Sequence, residues 1–268
     1  MIMTASSIGR RGPQHRYARP QNVNVPIPPH SLADWHQEVH ATIPYDDWIE
    51  PNPNLARLLS LARAKKHVFT NADACHAQSC LERLGLHKVI DGVVVNFNSV
   101  MHVAEKEGLA KPVRGPGSPL FPLCCKPQKD AFRIALELTG VQGDPATVLF
   151  VDDSPRNIAG AHAFGIRTVL IGHREPCRGA DFHLPSVEHL PHVMPELFAD
   201  SPEAASARLR AAGVKVPAWT RAPGHAVGEP AGLVPRASSA VDLAPLGEGH
   251  PPRDAVWGED EDRSLAQR

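Results

Sequence analysis

The stretch TVLFVDDSPRNIAGAHAFGIRTVLIG, residues 147–172, constrains the fold more than any other part of the chain. Val148 to Val151 is an unbroken apolar run, the mark of a strand buried on both faces. It stops at two acids, Asp152 and Asp153. Ser154-Pro155 then opens a helix, because proline at the first helical position gives up no needed hydrogen bond. That helix is predicted to close at Gly165, and RTVLIG supplies a second buried strand. Strand, helix and strand in so short a span imply a right-handed crossover and a parallel sheet.

The flanking sequence extends this pattern. LARLLSLARAK carries Leu55, Leu58, Leu59 and Ala62 at helical spacing, with Asn54 as its predicted cap. HVFT, ending at Thr70, is a short buried strand. ADACHAQSCLERLGL is a helix stopped by Gly85, and GVVVNF is a further strand. KPQKDAFRIALELTG starts with Pro127, puts Ala131, Ile134, Ala135 and Leu138 on one face, and is followed by Gly140. Residues 98–125 read as irregular, with KPVRGPGSPLFP as a surface loop. A last helix is expected within residues 186–199.

Composition sets the domain limits. Of the 268 residues, 27 are Pro and 20 are Gly, concentrated toward the two ends. Residues 1–30 contain arginines and no acid, and prolines interrupt them. They read as disordered or aberrant, with an organelle (plastid) transit segment as the alternative. Beyond residue 200 the chain is rich in Ala, Pro and Gly without a period and is expected to be disordered. One globular domain remains. The formal net charge of −1 argues against a nucleic-acid partner, and no apolar run is long enough to span a membrane. The five cysteines are irregularly spaced and form no CxxC, so reduced thiols and a cytoplasmic location are expected.

Three features fall at strand ends or helix starts, where α/β proteins carry their chemistry. Thr70-Asn71 pairs a hydroxyl with helix N–H groups and suits an anion such as phosphate. Lys126 stands just before a helix as a point charge. Asp152 and Asp153 repel unless a cation lies between them, and Mg²⁺ is the natural candidate.

In the order VFTNAD, KP and LFVDDSPRN, these features resemble the haloacid dehalogenase-like (HAD) hydrolase superfamily. HATIPYDDWIEPNPNLARLL, FTNADACHAQSCLERLGL, CKPQKDAFRIALELTGV and VLFVDDSPRNIAGAHAFGIRTVLIG look like its pyrimidine 5′-nucleotidase-like branch of plants and fungi. The resemblance implies an α/β, HAD-like (Rossmannoid) parallel sheet flanked by helices, with a truncated helical cap and disordered termini. Residues 31–66 would hold the cap remnant and lead into the core, 67–199 the core, and 200–268 a disordered tail. It also implies Mg²⁺-dependent hydrolysis of a small phosphorylated metabolite or nucleotide through an aspartyl-phosphate. Thr70 and the Asn71 N–H would hold the phosphoryl group, Lys126 would stabilise it, Asp152 and Asp153 would serve the metal, and Asn157 would orient their loop.

The resemblance also requires an apolar strand ending in Asp-x-Asp-x-Thr before residue 31, whose first aspartate is the nucleophile. The first acid in the chain is Asp34. Asp46-Asp47 follow a turn, Asp73 has no second aspartate two places on, and Asp260/Asp262 sit in the EDED tail. In this fold the missing strand would lie centrally, between the strand ending at Thr70 and the one ending at Asp152. VNVPI, residues 23–27, is a weak substitute because Pro26 removes a donor. Little or no phosphatase activity is therefore expected of a truncated or spliced relative. The alternatives are a non-catalytic phosphate-binding or regulatory product (a pseudoenzyme), a misassembled gene model and a chain that does not fold. His36 and His40 in HQEVH lack the zincin glutamate position and a third ligand, and read as cap structure. The adjacent Cys124 and Cys125 read as buried thiols.

Overall fold

A computed structural model describes residues 1–3, 43–113, 121–173 and 177–219. Six parallel strands form the main sheet. They are β1 (Ile2–Met3), β2 (His67–Phe69), β3 (Val94–Val95), β6 (Leu149–Asp152), β7 (Arg167–Ile171) and β8 (Phe182–Leu184). Their order across the sheet is β3-β2-β1-β6-β7-β8. A separate antiparallel hairpin joins β4 (Lys111–Val113) to β5 (Phe121–Leu123). The α/β parallel sheet flanked by helices is thus the observed architecture.

The central place is occupied. Ile2 pairs with His67 on one side and with Phe150 on the other, and Met3 with Val68 and Val151. The expected gap is therefore filled by the first residues of the chain, which the sequence reading had assigned to disorder. VNVPI, the proposed substitute, lies outside the described residues.

The sheet divides the core. Val68, Val151 and Val169 face a cluster with Leu55, Leu58 and Leu59, while Phe69, Phe150 and Leu170 face another with Phe132 and Ile158. This is the two-residue period of a strand covered on both faces. The three phenylalanines pack edge-on, with Phe132 ring centroids 5.8 Å from Phe69 and 5.5 Å from Phe150.

Local chemistry explains the helices α1 (Tyr45–Trp48), α2 (Pro53–Leu61), α3 (Ala74–Arg83), α4 (Phe97–Lys106), α5 (Lys129–Leu138), α6 (Pro155–Phe164) and α7 (Pro202–Ala211). Asn52, not Asn54, caps α2, through Oδ1 and the Leu55 N–H. Asn54 instead exchanges two hydrogen bonds with the backbone of Lys215. Gly165 ends α6 at φ +100°, a conformation that disfavours any side chain.

The structure corrects several boundaries. The irregular segment expected from 98 begins with α4, whose Asn96 and Ser99 form a reciprocal cap. In the tail expected to be disordered from 200, α7 follows Ser201, and Ala205, Leu209 and Val214 are buried in the core. The last helix expected in 186–199 is two 3₁₀ turns, Val187–His192 and Pro195–Leu197, interrupted by Pro191 and Pro195. In the 31–66 segment, read as cap remnant and entry to the core, α2 is core entry, packing against the sheet through three buried leucines.

Candidate active site

The strands all point the same way, so their C-terminal ends gather at one edge. Thr70 follows β2, and Asp152 ends β6, one strand away on each side of β1. Thr70 is held in register by donating its N–H to Val95 O at 2.9 Å. Its hydroxyl accepts from the Ala72 N–H at 3.0 Å, which turns the chain toward α3.

Lys126 reaches this edge from the loop before α5. It is 5% exposed, and Asp152 is 1% exposed. The ammonium donates to Phe69 O at 2.6 Å and to Asp152 Oδ2 at 3.2 Å. The Phe69 and Phe150 ring centroids lie 4.8 and 5.4 Å from it, close enough for cation–π attraction. Burial pushes the Lys126 ammonium below the ordinary lysine range, opposed by the Asp152 charge. Burial pushes the Asp152 carboxyl up, opposed by Lys126, the Ser154 N–H and the Asn157 amide. Each charge opposes the shift that burial imposes on its partner.

Both carboxylate oxygens of Asp152 are hydrogen-bonded. Oδ1 accepts from the Ser154 N–H at 2.7 Å, and Oδ2 also accepts from Asn157 Nδ2 at 3.0 Å. Both donors belong to the start of α6, where the helix dipole favours negative charge. Asp153 beside it is half-buried, and its carbonyl bonds His173 Nε2 at 2.7 Å.

Thr70, Asn71, Lys126, Asp152, Asp153 and Asn157 are therefore brought to one edge of the sheet. Sequence reasoning missed three contacts there. Phe69 O receives the ammonium, the Asn71 side chain bonds the Lys126 backbone, and His173 bonds Asp153 O. No residue-type signal announces a carbonyl acceptor. His173 stands in no motif. The amide of Asn71 was overlooked because its N–H was assigned to phosphate.

Two adjacent carboxylates at a strand end suit a hard cation that keeps most of its waters, as Mg²⁺ does. Among the described residues no group of three or more His, Cys, Asp or Glu side chains that could hold a metal ion occurs. His36 and His40 lie outside those residues, as do Asp260 and Asp262. Asp73 caps α3, accepting the His76 N–H at 2.8 Å. Cys75, Cys80, Cys124, Cys125 and Cys177 are all free thiols, with Cys124 buried and Cys125 half-buried. Among the described residues no helix is long and apolar enough to cross a membrane.

The chain is an α/β protein with a lysine–carboxylate pair at the C-terminal edge of a parallel sheet. Residues 11–165 match the haloacid dehalogenase-like hydrolase family, and the chain belongs to it. Among solved structures it is similar to the L-2-haloacid dehalogenase of Xanthobacter autotrophicus, at 21% identity over 56% of this chain and 62% of that one, with a TM-score of 0.40. A HAD-superfamily hydrolase of Geobacter sulfurreducens gives 20% identity over 57% and 68%, with a TM-score of 0.35. The candidate HAD hydrolase YfnB of Bacillus subtilis, solved bound to magnesium, gives 17% over 53% and 52%, with a TM-score of 0.39. The chain spans less than two thirds of the length of the dehalogenases it matches.

Proposed function

We propose that this chain binds the phosphoryl group of a small phosphate monoester together with Mg²⁺ and hydrolyses it slowly or not at all. The buried Lys126–Asp152 pair at the sheet edge carries this reading. A phosphoryl oxygen is drawn to a positioned ammonium and to hydroxyl and N–H donors, which Lys126, Thr70 and Asn71 supply. Asp152 and Asp153 would hold Mg²⁺, which members of this family typically use. When bound, the ion would neutralise charge on the phosphoryl oxygens. In the sequence β1 is followed by Thr4-Ala5-Ser6-Ser7, which include no carboxylate, so none of these four residues can form an aspartyl-phosphate. Pyrimidine 5′-nucleotides are the proposed substrate class, on the likeness of four stretches to that branch of the family. A non-catalytic phosphate-binding role fits the same residues.

The test uses the purified full chain. Orthophosphate with Mg²⁺ should raise its Tm, because a ligand of the native state alone stabilises it. Release of phosphate from uridine monophosphate should stay at least about a thousandfold below the ordinary enzyme range of roughly 1–10³ s⁻¹. Turnover within that range overturns the proposed inactivity, and no rise in Tm overturns the phosphate site.

A further inference from the structure

The candidate site contains one contact that a phosphate does not need. Asn71 is an exposed residue, yet its carboxamide is turned onto the main chain of Lys126. Nδ2 donates to Lys126 O at 3.0 Å, and the Lys126 N–H donates to Oδ1 at 3.0 Å. Only a primary amide presents a donor and an acceptor side by side to both backbone groups of one residue. An aspartate would face the carbonyl with a second acceptor, and a serine would offer a single atom.

The two residues are distant in sequence, and among the described residues no ladder of the sheet joins them. β2 and the Lys126 segment share no strand pairing. The loop is also held from other directions. Gln128 Oε1 accepts the Cys125 N–H at 2.8 Å. On α6, a Cβ at Gly160 would lie 2.5 Å from Pro127 O and 2.9 Å from Pro127 Cβ, so the helix comes as close to this loop as glycine allows. With the main chain fixed at these points, the lysine stem leads its ammonium to Phe69 O and Asp152.

We infer that Asn71 is a positioning residue, whose carboxamide fixes the backbone of Lys126 and so aims the ammonium between the C-terminal ends of β2 and β6. The inference rests on the phosphate-binding reading for its consequence: an ammonium already aimed meets a phosphoryl oxygen without a loop having to order first. It gives the side chain of Asn71 a scaffold role and leaves its N–H to the ligand.

Reductive methylation of the ligand-free full chain, read lysine by lysine by mass spectrometry, tests it. Lys126 and Lys66 are both buried, at 5% and 4% exposure, so both start protected. In Asn71→Ala, Lys126 should label about tenfold faster while Lys66 stays protected, since two hydrogen bonds are lost at one loop only. Asn71→Asp keeps the acceptor for the Lys126 N–H and loses the donor, so it should fall between. It also carries the test if the alanine variant does not fold. Equal release of both lysines, or unchanged protection of Lys126, overturns the inference. A second arm measures orthophosphate affinity with Mg²⁺ in Asn71→Ala, Lys126→Met and the double variant. If Asn71 acts through Lys126, its substitution changes affinity by less than about twofold once Lys126 is gone. Additive losses overturn the inference. A native chain that binds no orthophosphate overturns the phosphate reading, and the labelling arm then still decides what Asn71 does.

Discussion

Two lysines are buried to the same degree at opposite edges of the sheet, and their surroundings differ. Lys66 sits before β2, where Nζ donates to Ala62 O at 3.4 Å, Ala64 O at 3.2 Å and Asp91 Oδ2 at 2.9 Å. Ala62 is the C-cap of α2, so the charge also meets the negative end of a helix. Its partner Asp91 has a side chain 53% exposed. Lys126 faces a carboxylate with a side chain only 1% exposed, between two phenyl rings. One cation is anchored to water through its partner. The other is enclosed with a partner that has no such outlet, so its position depends on fixed neighbours. Burial alone therefore does not distinguish the two lysines; the burial of the counter-charge does.

The sharpest way to break this contrast is Lys126→Met. It strands a buried carboxylate with only Asn157 and the Ser154 N–H as donors, and should lower unfolding free energy by about 3 kcal/mol, measured by urea at pH 7. Gly160→Ala should cost about 1–3 kcal/mol, because its new methyl overlaps the Pro127 carbonyl and the loop must shift. Phosphate affinity should fall with it. A third test sits at the Lys66 edge. His67 is held down to about 4, first by burial and then by neighbouring positive charge including Lys65. The unfolded chain therefore takes up a proton below about 6.5 that the folded chain refuses until about pH 4. Stability is full above that window and falls as pH drops through it. Tm should decrease by a few degrees between pH 7 and 4.5, and His67→Asn, which keeps an acceptor for the Val93 N–H, should flatten the slope. Lys66→Met should have the smallest effect, about 1 kcal/mol or less, because Asp91 is left where water reaches it. It should leave phosphate affinity unchanged.

The sequence was most legible where one physical signal stood alone. Val148–Val151 and RTVLIG could only be buried strands, and Gly85, Gly140 and Gly165 do end their helices with positive φ. The strand-end acids, Lys126 and Thr70 stood out only through their order along the chain, since each alone has an ordinary structural use, and the fold brings them to one end of the sheet. β1 was not. Two apolar residues between Met1 and Thr4 carry no period, and their place comes from the open edges of β2 and β6. α4 was hidden because Ser99 completes its cap where Glu or Gln is the usual sign. α7 was hidden by an Ala-rich composition with two buried anchors, Ala205 and Leu209. The hydrogen bonds of Asn71 were invisible for another reason. They depend on which loop arrives opposite, and that is a property of the folded chain.

One feature reaches beyond the chemistry of phosphate. β1 is two residues long and is the only strand in the described sheet through which its halves, β3-β2 and β6-β7-β8, are hydrogen-bonded to each other. At the end of that short seam Lys126 holds Phe69 O of β2 and Asp152 of β6 at once. The ammonium is a rivet between the two leaves of the sheet, and a ligand that recruits it also loads the joint.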